Sequence, residues 1–261
     1  MKLPLKFSVT PDPIEVSDVG RTLVLLHSLG CDRQLWDGVV AQWQGRRRIV
    51  AVDLPGHGES PLWPAGFSLE DCADAVVAVL DTLGVERAIW AGNSVGGMIV
   101  QAAALNHAER VQAVVLSATD ARIGTTESWN QRLAQIERDG LASMAGSLAE
   151  RWFGEAFRRN ESARYDAIVA RLASQAEVGY TALAAAIRDA DFGGRMAEIT
   201  QPALVIGGGC DLFCPPDAGL RLAAALPRGE FELLPAAGHQ PPVECPAEWG
   251  ATVERSGVFD A

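Results

Sequence analysis

Short apolar runs alternate along the chain with longer segments that carry apolar residues at helical spacing. Six runs have the length of a strand and are mostly apolar: 22–26, 48–52, 88–91, 111–116, 203–206 and 231–234. Continuous rather than alternating apolar residues predict strands that are covered on both faces, as in a parallel sheet. Residues 6–10 and 14–16 predict an antiparallel hairpin ahead of them.

The segments between these strands have helical features. Ser68 and Asp71 are spaced as an N-terminal cap, apolar positions continue to Leu83, and Gly84 ends the helix. Further helices are predicted at 95–105 and 215–226. Strands that alternate with helices predict an α/β fold with a mostly parallel, doubly wound sheet.

The alternation stops between residues 122 and 197. This segment has no strand pattern, and four helices are predicted in it, at 127–138, 141–152, 162–174 and 178–189. We therefore predict a helical cap at 122–197, inserted into a body formed by 1–121 and 198–261. The cap is expected at the carboxyl ends of the strands, where open α/β sheets bind ligands.

The charge and the cysteines exclude several classes of protein. The 261 residues carry a net charge of −11, which argues against binding to nucleic acid, and the basic run at 46–48 is interpreted as a solvated strand entrance. Five scattered cysteines do not form a disulfide framework, and Cys210 with Cys214 lacks the second pair that a zinc site needs. No metal site is predicted.

The ends and the apolar segments contain no targeting signal. The N-terminal residues lack the apolar core of a signal peptide, and the most apolar stretch, 88–105, is interrupted by polar residues and glycine. We expect a reduced, cytoplasmic protein that does not bind membranes. The sequence does not indicate the oligomeric state.

The run GNSVG at 92–96 matches the pattern G-x-S-x-G directly after a predicted strand and before a predicted helix. That context is typical of a nucleophile elbow, in which a sharp turn exposes the serine above the sheet. Ser94 is therefore the predicted nucleophile. The alternative is a glycine-rich turn with an inactive serine.

A serine nucleophile needs a histidine base and an acid that orients it. Of the four histidines, His239 lies in the loop after the last strand, as the chain order serine, acid, histidine requires. His27 and His57 are expected to brace loops. Asp211, after the strand at 203–206, is the predicted acid, and Asp120 is the alternative.

Acyl transfer also requires donors for the oxyanion. We expect the backbone N–H of Val95, directly after the nucleophile, to be the first. The backbone N–H of Leu29, in the loop after the strand at 22–26, is expected to be the second.

Taken together, these motifs resemble the α/β-hydrolase fold over nearly the whole chain. The stretches that carry the resemblance are LLHSLG, AVDLPGHGES, AGNSVGG, VIGGGCD and PAAGH. The cap sequences ARIGTTESWNQRL and ERWFGEAFR, with the later IRDADFGGRMAEITQPALVI, resemble 3-oxoadipate enol-lactonases and their close relatives. The chain differs from that group at His27, at Asn93 and Val95, and where the histidine loop continues as Gln240-Pro241-Pro242.

The resemblance implies a serine hydrolase that opens a small ester or lactone without a cofactor, in the manner of enzymes of aromatic catabolism. Its partner would be that small molecule. The alternatives are a general carboxylesterase, a receptor that retains the triad, and a cofactor-free oxygenase or perhydrolase.

Selectivity is expected in the cap. Trp129 and Trp152 are candidate substrate-binding residues, with Phe153 as a further aromatic, although packing within the cap is the alternative role for each. Arg132 is the candidate partner for a substrate carboxylate. Arg122 and Arg151 are weighed beside it, and exposure to solvent is the alternative for all three.

Overall fold

The computed structural model describes residues 4–10, 22–43 and 46–260. These residues form a seven-stranded sheet in the order β1-β3-β2-β4-β5-β6-β7. The strands are β1 (Phe7–Thr10), β2 (Leu23–Leu26), β3 (Ile49–Val52), β4 (Ala88–Asn93), β5 (Val111–Ser117), β6 (Ala203–Gly208) and β7 (Gly229–Leu234). The edge strand β1 is antiparallel to β3, and the other neighbouring pairs are parallel. The predicted α/β fold is confirmed.

Several strands run further than the apolar pattern predicts. β4 continues to Asn93, which pairs with Ser117, and β6 continues to Gly208, which pairs with Leu234. Polar residues and glycine thus extend the sheet to the edge at which ligands bind. The second half of the predicted hairpin, 14–16, lies outside the described residues.

The helices of the body cover both faces of the sheet. They are α1 (Asp37–Trp43), α2 (Leu69–Thr82), α3 (Val95–Asn106), α9 (Pro216–Ala225), α10 (Pro241–Glu244) and α11 (Pro246–Arg255). In β2, Val24 and Leu26 pack in one buried cluster with α2 and α3, while Leu23 and Leu25 pack in a second cluster with α1 and α11. Burial of both faces explains why the strands are apolar throughout.

Five helices lie between β5 and β6: α4 (Thr126–Asp139), α5 (Leu141–Trp152), α6 (Glu155–Asn160), α7 (Ser162–Ser174) and α8 (Glu177–Asp189). α4 packs against α8, and α5 packs against α7. Trp129 and Tyr180 from these helices belong to the same buried cluster as Val24 of the sheet. The exact division into a 122–197 cap and a two-part body stays a prediction.

The basic run at 46–48 is only partly solvated, contrary to expectation. Arg46 is exposed and pairs with Glu254, but Arg48 is buried and donates to the Leu83 carbonyl. Among the described residues, no helix has both the length and the apolar character of a membrane span.

Candidate active site

Ser94 lies at the turn between β4 and α3 in a strained backbone conformation. Its φ is 54° and its ψ is −119°, a backbone conformation that residues other than glycine rarely adopt. A Cβ on Gly92 would come within 2.2 Å of the Gly96 carbonyl, and a Cβ on Gly96 would come equally close to the Leu26 carbonyl oxygen. Both glycines are therefore required by close backbone contacts.

A chain of hydrogen bonds joins Ser94, His239 and Asp211. The Ser94 hydroxyl lies 3.0 Å from His239 Nε2, and His239 Nδ1 lies 2.8 Å from Asp211 Oδ2. A neutral imidazole with its proton on Nδ1 donates to Asp211 and accepts from Ser94. All three residues are buried. The chain order serine, aspartate, histidine is the one that the sequence predicts.

Asp211 is fixed on its other side by the backbone. Its Oδ1 accepts hydrogen bonds from the N–H groups of Phe213 and Cys214. Asp120 does not take this place: its Oδ1 accepts from the N–H of Ala121, and burial raises its pKa. Of the candidate acids, Asp211 is therefore the one that contacts His239.

The loop that carries His239 is tied to the cap. The backbone N–H of His239 donates to the Trp152 carbonyl oxygen over 2.6 Å. Glu244 accepts the N–H of Gly238 and of Gln240 on one carboxylate oxygen, and the N–H of Gly154 on the other. Burial raises the pKa of Glu244, and these three donors act in the opposite direction.

The two predicted oxyanion donors lie beside Ser94. Val95 begins α3, so its N–H belongs to the first turn of the helix, which has no acceptor within the helix. Leu29 lines the same cavity as Ser94. Within the described parts of the chain, neither N–H donates a hydrogen bond to a protein acceptor.

His27 and His57 hold the neighbouring loops. His27 Nε2 accepts the N–H of Leu54, and His57 Nε2 accepts the N–H of Gly30. Each donates from Nδ1 to a nearby carbonyl, so both are neutral. Burial lowers the pKa of His27 to about 4 and that of His57 to about 3. Their expected bracing role is confirmed.

The cavity above Ser94 is narrow, with a volume of about 20 Å³. Trp129, Arg132 and Trp152 line it together with Tyr180 and Phe213. The indole N–H of Trp129 donates to a backbone carbonyl, so this ring offers the cavity mainly an apolar face.

Of the three arginines considered, only Arg132 lines this cavity in the described structure. Its guanidinium carbon lies 4.9 Å from the centre of the Trp129 ring and 5.3 Å from that of Phe213. Arg122 pairs with Asp191 at the surface, and Arg151 lies over the other side of Phe213.

The sequence matches a known protein family over most of its length. The profile described as alpha/beta hydrolase fold covers residues 21–244. The chain belongs to the α/β-hydrolase fold family.

Individual relatives of this α/β-hydrolase are enzymes that hydrolyse small substrates. 3-Oxoadipate enol-lactonase 1 of Acinetobacter baylyi is 28% identical over 87% of the chain and 85% of its own length. A 2-hydroxy-6-oxononadienedioate/2-hydroxy-6-oxononatrienedioate hydrolase of Paraburkholderia phymatum is 33% identical over 87% of the chain and 84% of its own length. The enol-lactonase from Burkholderia xenovorans superposes with a TM-score of 0.91 at 30% identity, covering 97% of this chain and 95% of the other.

Two polar side chains of this α/β-hydrolase site were not predicted from the sequence. Tyr180 and Gln240 are fully or almost fully buried and line the cavity. The Tyr180 hydroxyl interacts with the Arg132 guanidinium, while the Gln240 Nε2 has no hydrogen-bond partner among the described residues. Only the unusual Gln-Pro-Pro continuation after His239 marked Gln240 in the sequence, and no local pattern marked Tyr180.

Asp211, Cys214 and His239 are close enough to surround a metal ion. However, both oxygens of Asp211 accept hydrogen bonds from the protein, and burial raises the pKa of the Cys214 thiol well above its usual value. A protonated thiol is a poor metal ligand. The absence of a metal requirement stays a prediction.

Proposed function

We propose that this protein is a serine hydrolase that cleaves a small ester or lactone through an acyl-enzyme, with 3-oxoadipate enol-lactone as the first candidate substrate. The observation that carries the proposal is the continuous hydrogen-bond chain from Ser94 through His239 to Asp211 at a narrow cavity between the sheet and the cap helices. The named enol-lactonase relatives support the substrate.

In the first half of the reaction, the Ser94 hydroxyl attacks the substrate carbonyl while His239 Nε2 takes its proton. Asp211 stabilises the imidazolium that forms and keeps its orientation. The N–H groups of Val95 and Leu29 receive the oxyanion. His239 then gives the proton to the leaving oxygen, which leaves an ester on Ser94.

In the second half, a water molecule attacks the acyl group and His239 again accepts the proton. Collapse of the second oxyanion returns the proton to Ser94 Oγ and releases the acid. A lactone substrate keeps its leaving oxygen attached, so the single product carries both the new carboxylate and the released oxygen.

The cavity wall suits a small, acidic substrate. The apolar faces of Trp129 and Trp152 limit its size, and Arg132 offers the cationic group on the cap side. A guanidinium near aromatic rings is poorly hydrated, which strengthens a hydrogen bond to a carboxylate. We assign Arg132 to the carboxylate of the substrate.

A general carboxylesterase is the second candidate. A pimeloyl-[acyl-carrier protein] methyl ester esterase of Citrobacter koseri is 30% identical over 87% of the chain, and a relative of this kind acts on an open ester. Relative kcat/KM for 3-oxoadipate enol-lactone and short neutral esters separates the two candidates.

The proposal is tested by Ser94→Ala with p-nitrophenyl acetate and the enol-lactone. Loss of the nucleophile is expected to lower kcat by about 10⁴-fold or more, while circular dichroism stays unchanged. Ser143→Ala, an exposed serine in α5, serves as the control and should retain activity within about threefold. Full activity of Ser94→Ala would contradict the mechanism.

A further inference from the structure

Gln240 occupies an unusual position at the edge of the active site. It follows His239 directly, its side chain is 1% exposed, and it lines the cavity above Ser94. Its Nε2 is buried without a hydrogen-bond partner within the described residues. A buried amide N–H₂ group without an acceptor is costly, so its retention needs an explanation.

Neighbouring groups fix the orientation of this amide. Asn93 Nδ2 lies 3.0 Å from the His239 carbonyl oxygen, which can only accept, so the NH₂ of Asn93 faces that oxygen. The same NH₂ lies 3.1 Å from Gln240 Oε1, and the Ser28 hydroxyl donates to Gln240 Oε1 over 2.8 Å. Reversing the Gln240 amide would place two NH₂ groups against each other. Oε1 therefore faces Asn93, and the NH₂ group remains free to donate elsewhere.

We propose that the Gln240 NH₂ group binds an oxygen on the alcohol side of the substrate. The inference rests on the serine-hydrolase function proposed above. The substrate class is an ester or lactone whose alcohol portion carries a carbonyl or similar acceptor close to the scissile bond. Gln240 is thus a specificity-determining residue that pairs with this acceptor, and it takes no part in proton transfer.

The position of His239 indicates that Gln240 meets the alcohol portion of the substrate. Its Nε2 gives the proton to the leaving oxygen, so the alcohol portion lies next to this ring during the reaction. Gln240 is the next residue and contributes to the same wall.

Space for an extended alcohol portion exists beyond Gln240. A second cavity, with a volume of about 230 Å³, lies between the segment after Leu29 and helix α7. Its wall includes Gly30, Phe153, Ile168, Arg171 and Pro242, and it shares Gln240 with the cavity above Ser94. Gln240 is the residue that the two walls have in common among those described.

The experiment compares two esters whose alcohol portions differ at a single position, where an oxygen atom is replaced by a CH₂ group. Acetonyl butanoate carries a ketone in its alcohol portion, and methallyl butanoate replaces that C=O with C=CH₂. The ratio of their kcat/KM values is divided by the ratio of their hydroxide-catalysed rates in water, which removes the difference in intrinsic reactivity. For the wild type, we expect this corrected ratio to be about fivefold or more, as a hydrogen bond to a neutral acceptor provides.

Gln240→Met keeps the length of the side chain and removes the donor. We expect its corrected ratio to fall to about one, because only the ester with the ketone loses a hydrogen bond. Gln131→Met, an exposed position on α4, is the matched control and should keep the wild-type ratio. The corrected ratio can be measured on the wild type alone, so the test also stands if Gln240→Met fails to fold.

Two results would overturn the inference: a wild-type corrected ratio near one, or equal losses for both esters in Gln240→Met, which would show a role in positioning His239 instead. These results differ from failure of the proposed function. In that case the wild type hydrolyses neither ester nor p-nitrophenyl butanoate, and both proposals fall together.

Discussion

Among the described residues, Arg132 provides the cationic side chain that lines the cavity above Ser94. Its neighbours there are the rings of Trp129 and Phe213 and the buried hydroxyl of Tyr180. No salt bridge joins Arg132 to a described carboxylate, so an anionic substrate would meet an unneutralised charge. This arrangement supports the proposed role of the cap in selecting the substrate.

Substitution of Arg132 should therefore discriminate between charged and neutral substrates. We expect Arg132→Gln to raise KM for a carboxylate-bearing lactone by about 10- to 100-fold, because a charge-assisted hydrogen bond is lost. KM for the uncharged methyl ester of that lactone should change by less than about threefold. Steady-state kinetics with both substrates checks this.

Arg138→Gln is the matched control, since Arg138 lies on the same helix but pairs with Asp139 at the surface. It should leave both KM values unchanged. Equal effects of Arg132→Gln on the charged and the neutral substrate would show that Arg132 acts through packing alone.

The residues at strand ends could be predicted from sequence, and those held by distant contacts could not. Ser94, Asp211 and His239 each follow an apolar strand, so parallel topology alone places them at one edge. Tyr180 lies inside a cap helix among ordinary apolar residues. The orientation of the Gln240 side chain depends on a hydrogen bond from Ser28, which is 212 positions away in the sequence. Side-chain contacts of this kind leave no local pattern.

The short helix α10 connects the catalytic loop to the cap through Glu244. Its carboxylate accepts three backbone N–H groups, two flanking His239 and one at the start of α6. The sequence did not indicate α6 or α10, because each has too few residues for a helical period to be visible. The largest difference between prediction and structure thus lies where cap and body meet.

Glu244→Gln tests this connection. The amide would turn an NH₂ group toward at least one of the backbone donors, which leaves buried N–H groups without an acceptor. We expect the free energy of unfolding to fall by about 1–3 kcal/mol and kcat to fall about tenfold or more, as His239 is displaced.

Urea denaturation and steady-state kinetics measure the two effects. Glu248→Gln, at an exposed position on α11, controls for the loss of one negative charge and should behave as the wild type. A Glu244→Gln protein with wild-type stability and kcat would show that the carboxylate does not hold the loop.

At the scale of the whole molecule, burial keeps His27 and His57 neutral, and this gives the stability a defined pH dependence. Their folded-state pKa values are about 4 and about 3, whereas histidine in an unfolded chain titrates near 6.5. Between these values, the unfolded chain binds protons that the folded protein cannot accept. The contribution of these two histidines to the free energy of unfolding is therefore fully present above pH 6.5 and decreases as the pH falls below it.

At pH 5, each histidine should lower the free energy of unfolding by about 2 kcal/mol relative to pH 7.5. Urea denaturation at both pH values measures the difference. His57→Asn should reduce the pH dependence, while Gln131→Met, at an exposed position without a titratable group, should leave it unchanged. Equal stability of the wild type at pH 7.5 and pH 5 would contradict neutral burial.

The body and the cap share one buried cluster, and the candidate site lies between them. The sheet, the chain order of Ser94, Asp211 and His239, and the helical character of 122–197 could all be predicted from the sequence. The closure of the cavity could not, because it depends on how Trp152 and the His239 loop meet.

The central claim is that Ser94 becomes covalently acylated, and a mechanism-based label tests it most directly. The protein is incubated with a p-nitrophenyl phosphonate ester, released p-nitrophenolate is counted, and the modified residue is located by peptide mass spectrometry. We expect one equivalent of p-nitrophenolate, one phosphonyl group on Ser94 and complete loss of esterase activity. Modification of another residue, or full activity with Ser94 modified, would contradict the account.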